Sequence, residues 1–326
     1  MKNKYSNKYL IGTGIGLQDV DHLENSEYFL RESERYIAGE ISLSELNQLV
    51  KKYYANKPDD GNRTREADDV STRIATLLSD DSFSFTVGQL VSIHRFLFEG
   101  LLEHPGQLRK YNFTKSEWVL DGDTVTYGDY RELERTLQYD FSIEKDFQYK
   151  GLSINKIIDH LAVFIANLWQ IHVFEEGNTR TTAVFVIKYL RSLGFDVDND
   201  VFQKNAWYFR NALVRANYNN FGKGVFEDRN YLVMFLRNLL LGEDNNLQNR
   251  ELHIYCGECL KKDTRTGMIL TFMRRNPTIT IEEIADNIDY SVRTTKTIIK
   301  SLEEQKLVRR VGGKKLGRWV VKDDKK

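Results

Sequence analysis

Two apolar stretches of helical spacing, joined by a short polar loop, constrain this chain more than any other feature. From Ile154 to Ile171 the positions Ile154, Ile157, Leu161, Phe164, Leu168 and Ile171 recur along one helix face. After HVFEEGNTR, the run TTAVFVIKYLRSLGF resumes as a helix and reaches Gly194, a natural helix stop. A helix so apolar is expected to be buried on several sides, so other helices must surround it. Only three prolines occur in 326 residues (Pro58, Pro105 and Pro277), so little interrupts long helices. Residues 24–55 read as helices with a turn: Ser42 is a plausible N-cap, and Leu43, Leu46, Leu49 and Val50 share a face. Further helices are expected near 69–79, near 86–101 and onward to about Leu241. The polar segment LGEDNNLQNRE is the best domain boundary.

Bulk properties exclude several classes. Apolar residues make up 41% and charged residues 29%, which is ordinary for a globular chain. There is no run of about 18 apolar residues, and the N-terminus lacks the apolar core of a signal peptide. Two cysteines cannot build a disulfide framework. The expectation is a cytoplasmic protein with no membrane partner. Cys256-x-x-Cys259, with His253 nearby, offers at most three zinc ligands, and no metal is expected there. Net charge is zero but uneven. Ser291–Lys322 holds ten basic residues and two acidic ones, a net +8, which leaves −8 for the rest. The two ends therefore have different tasks.

The loop between the two apolar helices carries the chemistry. It holds His172, Phe174, Glu176, Gly177, Asn178 and Arg180 within nine residues. Backbone amides at a helix start favour anions, and glycine lets a phosphate come close to the main chain. Arg180 can fork onto phosphate oxygens. Glu176 is a hard oxygen ligand of the kind that Mg²⁺ takes beside phosphates. His172 can accept a proton near neutral pH. Together these residue types point to phosphoryl or nucleotidyl transfer, although such a loop can also be no more than a turn. Upstream, SEWVLDGDTVTYGDY places Asp121-Gly122 between two strand-prone runs, which predicts a β-hairpin.

HVFEEGNTRTTA resembles the Fic family signature, H-P-F-x-D/E-G-N-x-R-x-x-R. HRFLFEGLLEHPGQLR, with Gly106 and Arg109, resembles that family's Gly-x-x-Arg approach, and IDHLAVFIANLWQIH its helix into the signature. The resemblance covers roughly residues 84–240. It implies a mainly α fold, a Fic helical core with one β-hairpin flap, and transfer of AMP from ATP, with Mg²⁺, to a Tyr, Thr or Ser hydroxyl of a target protein or of the chain itself. It implies His172 as general base, Phe174 as an anchor of the loop and Glu176 as Mg²⁺ ligand. Gly177, Asn178 and Thr179 would be the phosphate cradle, and Arg180 a catalytic phosphate contact. Asn217 and Tyr218 would serve the adenine pocket. The flap, at Val119, Leu120, Thr124 and Val125, would hold the target by strand addition. Two positions depart from the signature: Val173 replaces proline, and Ala183 replaces the second arginine. The latter leaves open weak catalysis, a different phosphate pose or another donor.

YIAGEISLSELNQLVKKY resembles the tail of a VbhA-type Fic antitoxin, fused in front. The corresponding inhibitory helix would fall near Leu10–Leu17, which carries no glutamate. The expectation is a protein without the usual inhibitory glutamate–arginine pair. At the other end, residues 263–326 read as a small winged-helix domain. Thr280 and Glu283 form a capping-box pattern, Asp289–Ser291 makes the turn, and Ser291 caps a helix whose Arg293, Thr294, Thr295 and Lys296 lie at its start. LVRRV and GRWVV flank Gly312-Gly313 as a wing. DNA is the expected partner of this basic module, with a packing or dimer role as the other reading. The resulting division is 1–60, an antitoxin-like segment; 61–242, the Fic domain; 243–262, a linker; and 263–326, the winged helix. A DNA-binding regulator with a degenerate core and a Fic enzyme that transfers another phosphate-containing group stay open as alternatives, and a homodimer is neither required nor excluded.

Overall fold

The structure is a computed structural model, and it describes residues 4–55, 63–221, 225–254, 269–270, 272–273, 276–288, 291–304, 307–312 and 317–321. It divides into two compact units, Met1–Leu252 and His253–Lys326. Cys256 and Cys259, the Asp289–Tyr290 turn and Lys306, Gly313, Lys314, Lys315 and Lys322 lie outside the described residues.

The first unit is helical: α1 (Asn7–Gly16), a 3-10 turn (Leu17–Asp21), α2 (Glu27–Ile37), α3 (Leu43–Tyr54), α4 (Thr64–Ser79), α5 (Val87–Phe98), α6 (Leu133–Asp146), α7 (Ile154–Ile171), α8 (Asn178–Ser192), α9 (Val201–Ala216), α10 (Asn230–Leu241) and α11 (Asn249–Leu252). Local sequence sets these bounds. Ser42 and Glu45 form a reciprocal capping box at α3. Gly194, at φ 91°, lets Phe195 donate back to the Leu190 carbonyl and so closes α8. Every α8 residue from Asn178 to Leu190 is buried, so α8 is the axis around which the unit packs.

The N-terminal segment is part of this same unit. α1 lies against α4 and α9. Its Gly14 and Gly16 permit the contact: an added Cβ would stand 2.4 Å from the Ser71 carbonyl oxygen and 2.3 Å from that of Gln203. Leu10 and Ile11 are fully buried.

The hairpin expected at 118–127 does not form. Asp121 and Gly122 do adopt the two left-handed conformations of a tight turn, φ 55° and 85°. Trp118–Leu120, however, coils into a 3-10 turn in which Leu120 donates to the Glu117 carbonyl. The reason is burial: Val119 and Leu120 are consecutive and both fully buried, whereas a strand would send them to opposite faces.

In the second unit α12 (Ile281–Asn287) and α13 (Val292–Glu304) precede an antiparallel pair, β1 (Val308–Val311) and β2 (Arg318–Val321), with Val308 opposite Val321. Thr280 and Glu283 make the expected capping box. Ile284, Ile299, Leu302, Val308 and Trp319 share one core, and the Trp319 indole donates to the Ile279 carbonyl at 2.9 Å. The architecture is mainly α with a small winged helix, and its one regular strand pair among the described residues is the wing.

Candidate active site

α7 ends at His172, which takes the left-handed conformation at φ 51° and donates its amide to the Trp169 carbonyl. A non-glycine residue holds that conformation only where its surroundings enforce it. Here Arg109 does so. Its Nε donates to the His172 carbonyl at 2.7 Å, Nη1 to the Tyr111 carbonyl at 2.6 Å, and Nη2 to the Ile171 carbonyl at 3.3 Å and to that of Gly128. Its own amide donates to the Val173 carbonyl at 2.9 Å. One buried guanidinium thus satisfies the orphan carbonyls of the helix end, where a positive charge is also favoured.

The His172 ring is 3% exposed and sits among Tyr127, Trp169 and Phe113, with centroids at 4.2, 5.3 and 5.5 Å. Neither ring nitrogen has a hydrogen-bond partner. Burial, then the charges of Lys115, Arg210 and Arg109, hold its pKa well below the ordinary histidine range, so the imidazole is neutral at pH 7.

The loop after His172 is fixed from within. Asn178 brackets Phe174: its Oδ1 accepts from the Phe174 amide at 3.0 Å, and its Nδ2 donates to the Phe174 carbonyl at 2.7 Å. Thr179 Oγ1 accepts from the Trp169 indole at 3.0 Å. Gly177, at φ 71°, admits no side chain, because a Cβ would lie 2.3 Å from the Phe98 ring. His94, which sequence reasoning passed over, stacks on Phe174 at 3.7 Å. It accepts from the Gly106 amide at 2.8 Å and donates to the Glu176 carbonyl at 3.0 Å. Burial, with help from Arg180, pushes its pKa down to about 4, so it stays a neutral strut. The first intrahelical bond of α8 runs from Thr181 to Gly177. The amides of Asn178, Thr179 and Arg180 precede it and point out of the helix start. The Glu176 carboxylate is exposed and makes no ion pair among the described residues.

Arg180 is fully buried over the Phe98 ring. Its Nη2 lies 2.7 Å from Glu66 and 2.9 Å from Asp21, and its Nη1 donates to Gln18 at 3.1 Å. None of these partners was marked in the sequence, since they lie more than 110 residues away. Opposite, Glu117 is fully buried and binds Arg210 twice, at 2.6 and 3.1 Å, while the Tyr127 hydroxyl donates to it at 3.1 Å.

Other expected site residues are engaged elsewhere. Asn217 donates to the Ala166 and Leu213 carbonyls, each at 2.9 Å, and Tyr218 to Asp123 at 2.6 Å. They tie the end of α9 to α7 and to the turn at Asp121–Gly122. Val119, Leu120 and Val125 are core residues, and the half-buried Thr124 accepts from the Lys115 amide.

The site thus combines a neutral buried imidazole, the start of a buried helix and an exposed carboxylate on one short loop. Residues 84–190 match the model of the Fic/DOC family, and the chain carries a Fic/DOC-family domain. Residues 262–309 match a winged helix-turn-helix DNA-binding model. Two curated relatives are similar. Protein adenylyltransferase VbhT of Bartonella schoenbuchensis is 24% identical over 43% of this chain and 30% of its own length. Probable protein adenylyltransferase y4lH of Sinorhizobium fredii is 27% identical over 56% of this chain and 91% of its own. The chain thus spans about a third of the first relative and most of the second. Two solved structures are loosely alike. The N-terminal FIC domain of Bep8 from Bartonella sp. 1-1C has a TM-score of 0.44 at 17% identity, covering 57% of this chain and 88% of that one. A Fic family protein from Desulfovibrio desulfuricans has 0.41 at 11%, covering 98% and 97%.

Proposed function

We propose that this chain is a Fic-type protein adenylyltransferase that moves AMP from ATP to a Tyr, Thr or Ser hydroxyl. The observation that carries the reading is His172: a buried, neutral imidazole with two unpartnered nitrogens, six residues before the start of α8. In this reading the target oxygen bonds to the α-phosphorus, the bond from that phosphorus to the bridging oxygen breaks, and pyrophosphate leaves. The hydroxyl proton passes to His172. The α8 amides face the phosphates and need no reorganisation to do so. Glu176 would hold Mg²⁺, which offsets phosphate charge when bound, and a lone exposed carboxylate suits an ion that takes its remaining ligands from phosphates and water. Phe113 and Tyr127 cover His172, so a target hydroxyl reaches it only when one of these rings gives way.

The test is incubation of the full chain and a lysate with α-³²P-labelled ATP and Mg²⁺. Label on protein, lost in His172→Ala that still melts cooperatively, is the expected result. Label that persists in the variant removes His172 as base, and no label with bound ATP removes AMP transfer. The second unit supports a further role, binding of duplex DNA: Arg293, Lys296 and Lys300 are exposed at helical spacing on α13.

A further inference from the structure

Neither ring nitrogen of His172 has a hydrogen-bond partner, so what lies over the ring decides what can reach it. Three rings lie there, and they are not equally fixed. Trp169 is buried near the end of α7, and its indole donates to Thr179. Phe113 is held by two cations: the Arg109 guanidinium carbon lies 5.1 Å from its ring centre and the Lys115 Nζ 5.7 Å. Tyr127 is the nearest to His172, at 4.2 Å, and it is half-buried. Its hydroxyl donates to Glu117 at 3.1 Å. Burial, then the charge of Glu117, push the Tyr127 pKa up, so the phenol keeps its proton and is the donor of this bond.

The main chain around Tyr127 does not share the freedom of its ring. The Thr126 carbonyl accepts from Gln170 Nε2 at 3.0 Å, the Gly128 amide donates to the Gln170 carbonyl at 3.3 Å, and the Gly128 carbonyl accepts from Arg109. Both neighbours of Tyr127 are thus pinned, each by a bond to the last turn of α7, and movement is left to the side chain. The acceptor is fixed as well. Glu117 is fully buried and bound twice by Arg210, and its carbonyl takes the amides of Leu120 and Gly122. Breaking the phenol bond therefore leaves Glu117 paired and orphans no buried carboxylate.

We propose that Tyr127 is a gate over His172, latched by Glu117: with its hydroxyl on Glu117 the ring covers the imidazole, and rotation of that side chain on a fixed main chain uncovers it. Glu117 and Arg210 are then positioning residues, which hold the latch and touch no reacting atom. The gate itself stands apart from the nucleotide-transfer reading, but what passes it rests on that reading. There the entrant is the target hydroxyl, and the closed ring keeps water from taking its place.

Diethyl pyrocarbonate, which acylates neutral imidazole nitrogens, tests the gate on the full chain without nucleotide. The rate of modification at His172, read by mass spectrometry of its peptide, follows the fraction of time the gate is open. Tyr127→Phe keeps the ring and removes the latch, so His172 should react roughly tenfold faster, the scale of one hydrogen bond to a charged acceptor. His94, 1% exposed and packed against Phe98 and Phe174, is the control and should react at its wild-type rate. An unchanged rate at His172 overturns the latch. A rise at His94 as large as that at His172 overturns it too, because the whole fold has then loosened. Label transfer from α-³²P-labelled ATP separates this inference from the reading it serves. A faster His172 in Tyr127→Phe with no label from either protein keeps the gate and removes the transferase, whereas label with an unmoved His172 rate keeps the transferase and removes the gate.

Discussion

His94 should make this protein sensitive to mild acid. The ring is 1% exposed, its Nδ1 accepts from the Gly106 amide and its Nε2 donates to the Glu176 carbonyl, so a second proton has nowhere to go without breaking the first of these bonds. Its pKa lies at about 4 in the folded chain against an ordinary value of 6.5. Between those values the unfolded chain binds more protons than the folded one, so stability falls as pH falls from about 6.5 toward 4. At 1.36 kcal/mol per unit the full effect is about 3 kcal/mol, and roughly 2 kcal/mol of it is lost on going from pH 7.5 to pH 5. Urea unfolding at the two pH values, beside His94→Gln, isolates this share. Glutamine can still accept from Gly106 and donate to Glu176 but does not titrate. His172 and the carboxylates contribute to both slopes, so the difference between the proteins is the measure. Wild type should lose about 2 kcal/mol more than His94→Gln over this interval. Equal losses would refute the assignment of His94 as a neutral strut.

Two further outcomes follow from the geometry. Gly177→Ala forces a Cβ to within 2.3 Å of the Phe98 ring at φ 71°, so it should cost about 1–3 kcal/mol in urea unfolding, and pairing it with Phe98→Ala should relieve the clash but not the backbone strain. In the second unit Arg293→Ala and Lys296→Ala should each weaken binding of duplex DNA by the full chain and lower its log–log salt slope by about 1, and a slope that does not move would exclude phosphate contact by that residue.

What the sequence made legible is what is local. The helices, the N-cap at Ser42, the capping box at Thr280, the stop at Gly194 and the loop from His172 to Arg180 are written within a few residues of one another. The hairpin did not form because strand propensity cannot tell a half-buried alternation from two neighbouring residues that both bury, as Val119 and Leu120 do. Asp21, Glu66, Arg63, Lys115 and Arg210 carried no local signal: each is an ordinary charge on a polar segment until the fold brings it to His172 or Arg180. His94 did carry a weak one, a histidine inside the apolar helix HRFLF, but only its contacts with Gly106 and Glu176 reveal its role.

The side chains that the signature marks as ligands are, for the most part, spent on the protein itself. Asn178 brackets Phe174, Thr179 accepts from Trp169, and Asn217 holds the ends of α7 and α9. A side chain whose hydrogen bonds are all internal acts by holding the loop's shape, and in the proposed reading the anion meets main-chain amides. Ala183 fits the same logic. It is fully buried in the first turns of α8, so an arginine there would need room that the packed interior does not offer. Outside α8, Lys115 lies against Phe113 near His172, and Arg63 against Glu66 beside Arg180. In the proposed reading the site is thus divided between the main-chain start of α8, legible as a motif, and charged side chains from distant segments that hold Arg180 and lie near His172.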